Sequence, residues 1–242
     1  AVSPSKNVAI GDSAMRVIDA SANGIAQCVA IGANAFYGHT DTTTGTDGTT
    51  AIGYNALFSL TTGAQNTAIV SYNSDALTTG GYNTSVGRST LGTLTTGSSN
   101  VAVGRATLSA AADDESHNIA IGNSAIGAAK QDGTVSSTSR EVKQNIAIGE
   151  DALMGGTLTG TDHIEGNIAI GYQAMDATGA NQQIGTIAIG NKALGALTSG
   201  LSNTAIGYES QLYQTDGANN TSLGFKALRN ADNGESLNTV IG

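Results

Sequence analysis

A five-residue phrase returns thirteen times along the 242-residue chain: Asn, a β-branched residue, Ala or Ser, an aliphatic residue, Gly. Strict copies are NVAIG at 7–11, NTSVG at 83–87, NVAVG at 100–104, NIAIG at 118–122, 145–149 and 167–171, NTAIG at 203–207, NTSLG at 220–224 and NTVIG at 238–242. Looser copies are CVAIG at 28–32, TTAIG at 49–53, NTAIV at 66–70 and TIAIG at 186–190. The closing residues stand 17 or 18 apart in seven of twelve intervals and 19 to 27 apart in the other five. A fixed short period of this kind marks a solenoid, in which each repeat buries its apolar face only against its neighbours.

Each column of the phrase has a physical reading. Every copy has a β-branched second residue and an Ile, Val or Leu before the closing position, from Ile10 to Ile241. These two share one face of a three-residue strand, and the expectation is that this face lines the core. The Ala or Ser between them, with Val240 the exception, then points the other way, towards partner chains or a tight inter-strand layer. Ten copies begin with Asn, which predicts an amide ladder between stacked rungs.

The pattern continues past the phrase. Four residues after the closing position stand Met15, Phe36, Leu57, Leu91, Leu108, Ile126, Leu153, Met175, Leu194 and Leu228. Ten residues after it stand Gly63, Gly80, Gly97, Gly200, Gly217 and Gly234, read as turn residues of positive φ. No stretch between the glycines keeps a helical period over two turns. A triangular hexapeptide helix is also excluded, because apolar residues follow Ile52 at five, eight and seventeen positions rather than at multiples of six. The expectation is an all-β parallel solenoid of about 13 coils. Residues 1–242 are expected to form a single repeat domain, a segment of a longer fibre, with insertions at 12–27, 33–48, 127–144 and 154–166. Val70, standing where the other copies have Gly, predicts a local bulge.

Composition agrees with a thin core. Only 4% of residues are aromatic and there is no Trp, while Gly numbers 33. Such a core barely offsets the entropy of ordering each coil, so association of chains is expected; a homotrimer is the commonest arrangement for fibrous β-rolls, and the arithmetic alone also permits a dimer. With 10 Lys plus Arg against 19 Asp plus Glu, the net charge of −9 and the lack of basic clusters argue against nucleic acid. No apolar run reaches the roughly 18 residues that span a bilayer. Cys28 stands alone and reads as a small buried residue.

The phrases NVAIG, NIAIG and CVAIGANAF resemble the head repeat of trimeric autotransporter adhesins. The longer TAIGYNALFSLTTG at 50–63 and NTSLGFKAL at 220–228 are similar to repeats of phage tail-fibre proteins. The resemblance implies a left-handed parallel β-roll in a trimeric fibre, an extracellular place on a virion or bacterial surface, and no catalytic residues. The longer period favours the virion fibre, with the bacterial surface adhesin as the alternative. Expected partners are further copies of the chain, host-surface glycans or another cell-surface receptor, and other fibre or baseplate proteins.

Chemical motifs are few. His39, His117 and His163 lack metal-ligand spacing, and the Asp113–Asp114–Glu115 run and the Asp41/Asp47 pair read as solvated turns, so no metal or other cofactor is expected. Tyr54, Tyr172, Tyr208 and Phe225 follow closing glycines and predict a broken aromatic stripe at the coil corner. The longest insertion carries Lys130, Arg140 and Lys143, the candidate receptor contacts on an otherwise acidic rod. The structural repeat is represented by Asn118, Ile121, Gly122, Asn145, Ile148, Gly149, Asn167, Ile170 and Gly171.

Overall fold

The computed structural model describes residues 6–16, 25–38, 45–109, 115–127, 130–131, 142–158, 163–178, 181–231 and 234–242. These form two units, residues 1–116 and 117–242. Each is a parallel β-solenoid, and among the described residues there is no helix.

In the first unit the strands are β1 (Val8–Ile10), β2 (Val29–Ile31), β3 (Thr50–Ile52), β4 (Thr67–Ile69), β5 (Thr84–Val86) and β6 (Val101–Val103). They pair in sequence order and column on column, Ala30 beside Ala51 and Ala51 beside Ala68. In the second unit the strands that carry the phrase are Ile119–Ile121, Ile146–Ile148, Ile168–Ile170, Ile187–Ile189, Thr204–Ile206, Thr221–Leu223 and Thr239–Ile241. They stack by the same register. Every phrase is a strand, and six strands followed by seven bound about eleven complete turns, fewer than the thirteen coils expected.

The two strand faces are the reverse of the expectation. Ala30, Ala51, Ala68, Ala102, Ala120, Ala147, Ala169, Ala188 and Ala205 are fully buried inside the roll. The aliphatic residues before the closing glycine point outward, with Ile10 57%, Ile121 37% and Ile148 36% exposed. The reason is volume. A second wall, formed by the seven residues after each closing glycine, supplies the bulk of the core through Phe36, Leu57, Leu91, Leu108, Ile126, Leu153, Met175 and Leu194, all fully buried. The walls lie so close that Ser74 of one hydrogen-bonds Ser85 of the other. Opposite such side chains only a methyl or hydroxymethyl group fits, which is why this column is Ala or Ser.

The second wall is not extended chain. Around each bend, residues two and four past the closing position adopt left-handed φ, as at Asn55 (+56°) and Leu57 (+50°), and so does Gln65 just before the next phrase. Such conformations are uncommon for residues other than Gly. Here they aim the amides along the stack. Asn55 N–H donates to Ala33 of the preceding rung at 3.1 Å, and Leu57 N–H donates to Asn73 of the following one at 3.0 Å. Each rung is thereby bonded to both neighbours on both walls.

The expected amide ladder is present. Asn83 donates its backbone N–H and its Nδ2 to Oδ1 of Asn66 at 3.0 and 3.1 Å, and Asn100 does the same to Asn83. Each Nδ2 also donates to the carbonyl three residues before an Asn, Gly97 for Asn83 and Glu115 for Asn100. The second unit repeats the arrangement through Asn118, Asn145 and Asn167 and through Asn203, Asn220 and Asn238. Amides buried to this degree need such complete pairing.

The residue three before the phrase explains the varying period. In the 17-residue rungs it is Gly63, Gly80, Gly97, Gly200 or Gly217. A Cβ at Gly80 would overlap the carbonyl oxygen of Gly97, while Gly80 itself is outside the left-handed region. The positive φ expected from the sequence is present at Gly63 (+104°), Gly200 (+115°) and Gly234 (+82°), whereas at Gly80, Gly97 and Gly217 glycine is required for space alone. In longer rungs the same place holds Ile25, Thr46, Glu115, Val142, Ile164 or Gln183, each buried in a wider interior. Three of these sit on a short parallel sheet of Val142–Lys143, Ile164–Glu165 and Gln183–Ile184. A further pair joins Lys130–Gln131 to Thr157–Leu158. The described residues of the insertions 127–144 and 154–166 therefore pair with one another in parallel, rung on rung.

Val70 produces no bulge. The Tyr72 amide reaches Tyr54 at 2.9 Å and the Ser74 amide reaches Thr90 at 2.9 Å, the bonds made by equivalent residues of neighbouring rungs. Register is kept because Val70 itself adopts φ +99°, where Gly53 has +135°. A β-branched residue in that region is strained.

Candidate functional site

The outward strand face carries two regular columns of side chains. Its column before the closing position is Ile, Val or Leu on every strand, and its companion column is β-branched on every strand. The strands are in register, so the side chains stand above one another along each unit. Ile121, Ile148 and Ile170 lie in this column, Asn118, Asn145 and Asn167 in the buried ladder. Gly122, Gly149 and Gly171 stand at the turn, where a Cβ on Gly122 would meet the Gly149 backbone. A contiguous apolar stripe of this regularity is unusual on a lone soluble chain.

The candidate receptor contacts are not gathered into one site. Lys130 lies in the strand paired with Thr157–Leu158, whereas Lys143 lies in a different sheet, in register with Glu165. Lys143 therefore has an acidic residue as its in-register neighbour. Arg140 lies outside the described residues, as do His39, Asp41, Asp113 and Asp114.

Other sequence candidates fall as follows. Glu115 is not in a solvated turn but fully buried, in the column of Gly63, Gly80 and Gly97. Asp47 accepts the Ala26 amide at 2.6 Å, tying two rungs together. Among the described residues no group of three or more His, Cys, Asp or Glu is placed to hold a metal ion. No helix there is long and apolar enough to cross a membrane. Cys28 occupies the ladder column, fully buried, with its thiol 3.3 Å from the Thr46 carbonyl, and burial pushes its pKa up.

The aromatic residues form rung-to-rung pairs on the second wall. Tyr37 stacks on Phe58 at 4.9 Å, Tyr54 meets Tyr72 edge-on at 5.3 Å, and Tyr208 stacks on Phe225 at 5.3 Å. Tyr54, Tyr172, Tyr208 and Phe225 are all exposed, the broken stripe predicted.

Two polar rungs escaped the sequence reading. In one, the Asn73 Oδ1 accepts the hydroxyls of Ser74 and Ser85. In the other, the Ser222 hydroxyl meets that of Ser210 and accepts from Nε2 of Gln211. The signal was in the sequence. The Ala column turns to Ser at 85 and 222, eleven residues after the large apolar residue is replaced by Ser74 or Gln211.

Comparison of this chain with family models, with curated proteins and with solved structures finds no match.

Proposed function

We propose that the chain is a structural and adhesive fibre module, a homotrimeric shaft or head of a virion tail fibre that takes part in attachment to the host surface. The observation that carries this reading is the outward column of thirteen aliphatic residues. A stripe that repeats with the rung spacing is best matched by a surface of the same spacing, which a second and third copy of the chain provide. Closed association of identical copies is the common outcome for such self-complementary surfaces. The correction to the strand faces moves the association surface from the Ala column to the Ile/Val column. Other fibre or baseplate proteins and host-surface glycans are the further partners of this reading, and it assigns no catalytic residue. The compact copy CVAIGANAF supports the second reading, a bacterial cell-surface adhesin of the same build.

Sedimentation equilibrium tests the assembly. The expected species has three times the chain mass of 24.1 kDa. A folded monomer at micromolar concentration would remove the basis of the proposal. Adsorption of the purified trimer to bacterial cells, or to cells of an animal host, separates the virion reading from the surface-adhesin reading.

A further inference from the structure

In the first unit the second wall carries a hollow of about 520 Å³, lined by Tyr72, Asp75, Arg88, Ser89, Gly92 and Thr93. Its origin is a single column, the fifth residue after each closing position. That column runs Phe58, Asp75, Gly92 and Ser109 on successive rungs. Phe58 is filled in by its stack with Tyr37, whereas Gly92 has no side chain, so the surface falls away beside Asp75. The volume lies within the roughly 300–1,000 Å³ of small-molecule clefts.

The lining is chemically selective. Tyr72 is 40% exposed, and its edge-on contact with Tyr54 holds the ring in place. Asp75 is half-buried; its carboxylate accepts its own N–H and that of Ala76, and burial pushes its pKa up. Arg88 lines the same hollow, and among the described residues no ion pair joins it to Asp75. Thr93 donates its hydroxyl proton to the Ser109 carbonyl at 2.8 Å. An anion would meet the Asp75 carboxylate, a cation would meet the Arg88 guanidinium, and an apolar ligand would strand both. A neutral polyol ring satisfies all of them. Its C–H face lies on an aromatic ring, its hydroxyls donate to a carboxylate, and its oxygens accept from a guanidinium.

We propose that this hollow is a carbohydrate subsite that takes one neutral pyranose residue of a cell-surface glycan. This names the chemical class of partner for the fibre reading above, and rests on that reading only for where the sugar comes from. The hollow is on the wall opposite the aliphatic strand face, the two walls meeting across the interior through Ser74 and Ser85, so association by the strand face leaves it open. The second unit contains an internal control. Asp176 stands beside Gly195 in the same column, also half-buried and with its pKa raised by burial. There Gln173 replaces the tyrosine, and a Cβ on Gly195 would come within 3.1 Å of Leu212. A carboxylate and a glycine notch without the ring are expected not to bind.

The test is saturation-transfer NMR on the full chain with methyl pyranosides of glucose, galactose, mannose and N-acetylglucosamine, and with glucuronate as the acidic probe. At least one neutral pyranoside is expected to bind. Tyr72→Ala and Asp75→Asn should each weaken it about tenfold or more, the loss expected for a hydrogen bond to a charged group or its equivalent. Asp176→Asn should leave it unchanged. Asp75→Asn relieves a buried charge and keeps the fold, so its result stands even if Tyr72→Ala unfolds. Binding of none of the neutral sugars, binding indifferent to Asp75→Asn, or binding of glucuronate alone would each overturn the proposal. A chain that binds the pyranoside yet sediments as a monomer would retire the fibre reading and leave the subsite standing.

Discussion

The hydroxyls of Ser74 and Ser85 lie 2.9 Å apart across the interior of the first unit, and both lie within hydrogen-bond reach of Oδ1 of Asn73, so that two protons are shared among three acceptor oxygens. In the preceding rung the equivalent residues are Leu57, Ala68 and Ala56. One core position has thus been built twice, once apolar and once polar, without a change of register. A polar set of this kind is stable only when complete. Ser74→Leu or Ser85→Ala alone should lower stability by about 1–3 kcal/mol by orphaning a buried partner. The triple change Asn73→Ala, Ser74→Leu, Ser85→Ala, which copies the preceding rung, should recover most of that loss. Urea unfolding of the singles and the triple measures the coupling, and additive losses would show that the three residues are not one unit.

Val70 carries strain that its neighbours do not. Its φ of +99° is suited to Gly, the residue at this place in every other copy. Val70→Gly should raise stability by about 1 kcal/mol, the relief of a strained φ of about 1–3 kcal/mol exceeding the entropy cost of the glycine. A lower midpoint in thermal unfolding would mean that the Val side chain contributes packing that outweighs the strain.

The two strand faces should respond oppositely to substitution. Ala147→Leu forces extra volume into a filled interior and should cost about 1–3 kcal/mol or more. Ile148→Asp, one residue on, places its charge outside the roll and should leave the circular dichroism of the chain intact while abolishing self-association in the centrifuge. If Ile148→Asp unfolds the isolated chain as severely as Ala147→Leu, the outward column belongs to a core after all.

Asp75 ties stability to pH in an unusual direction. Burial raises its folded-state pKa above the ordinary 3.8, so the folded chain binds a proton more readily than the unfolded one. Stability gained by that proton is present below 3.8 and is lost as pH rises through the folded-state value. Asp75→Asn should therefore raise the melting temperature at pH 7, and the advantage should shrink as pH falls towards 3.8. An advantage constant with pH would assign the effect to something other than the charge.

The stacking of the chain was open to reading from its sequence, while the inside and outside of the strands were not. The phrase located every strand that carries it, and its Asn column announced the ladder, because both depend on spacing alone. The faces depend on volume supplied from elsewhere. A three-residue strand such as Ile146–Ala147–Ile148 has one Ala against two Ile, and hydrophobicity by itself places the Ile inside. What decides the matter is Leu153 and its equivalents, buried opposite and leaving room only for Cβ. The hollow beside Asp75 was hidden for a related reason. Tyr72, Asp75, Arg88 and Gly92 belong to two rungs and align only when residues seventeen apart are set above one another.

The hydrogen bonds that tie Asn55 back to Ala33 and Leu57 forward to Asn73 join each rung only to the ones before and after it. No contact in such a stack knows how many rungs lie beyond its neighbours. Removing residues 70–86 would bring Gly53 to follow onto Gly87's columns with every side chain still over its own kind, whereas removing a single residue from the same stretch would rotate all later side chains out of place. Each unit is in this sense a ruler graduated in whole rungs, and evolution can reset its length by duplication or loss of one graduation at a time.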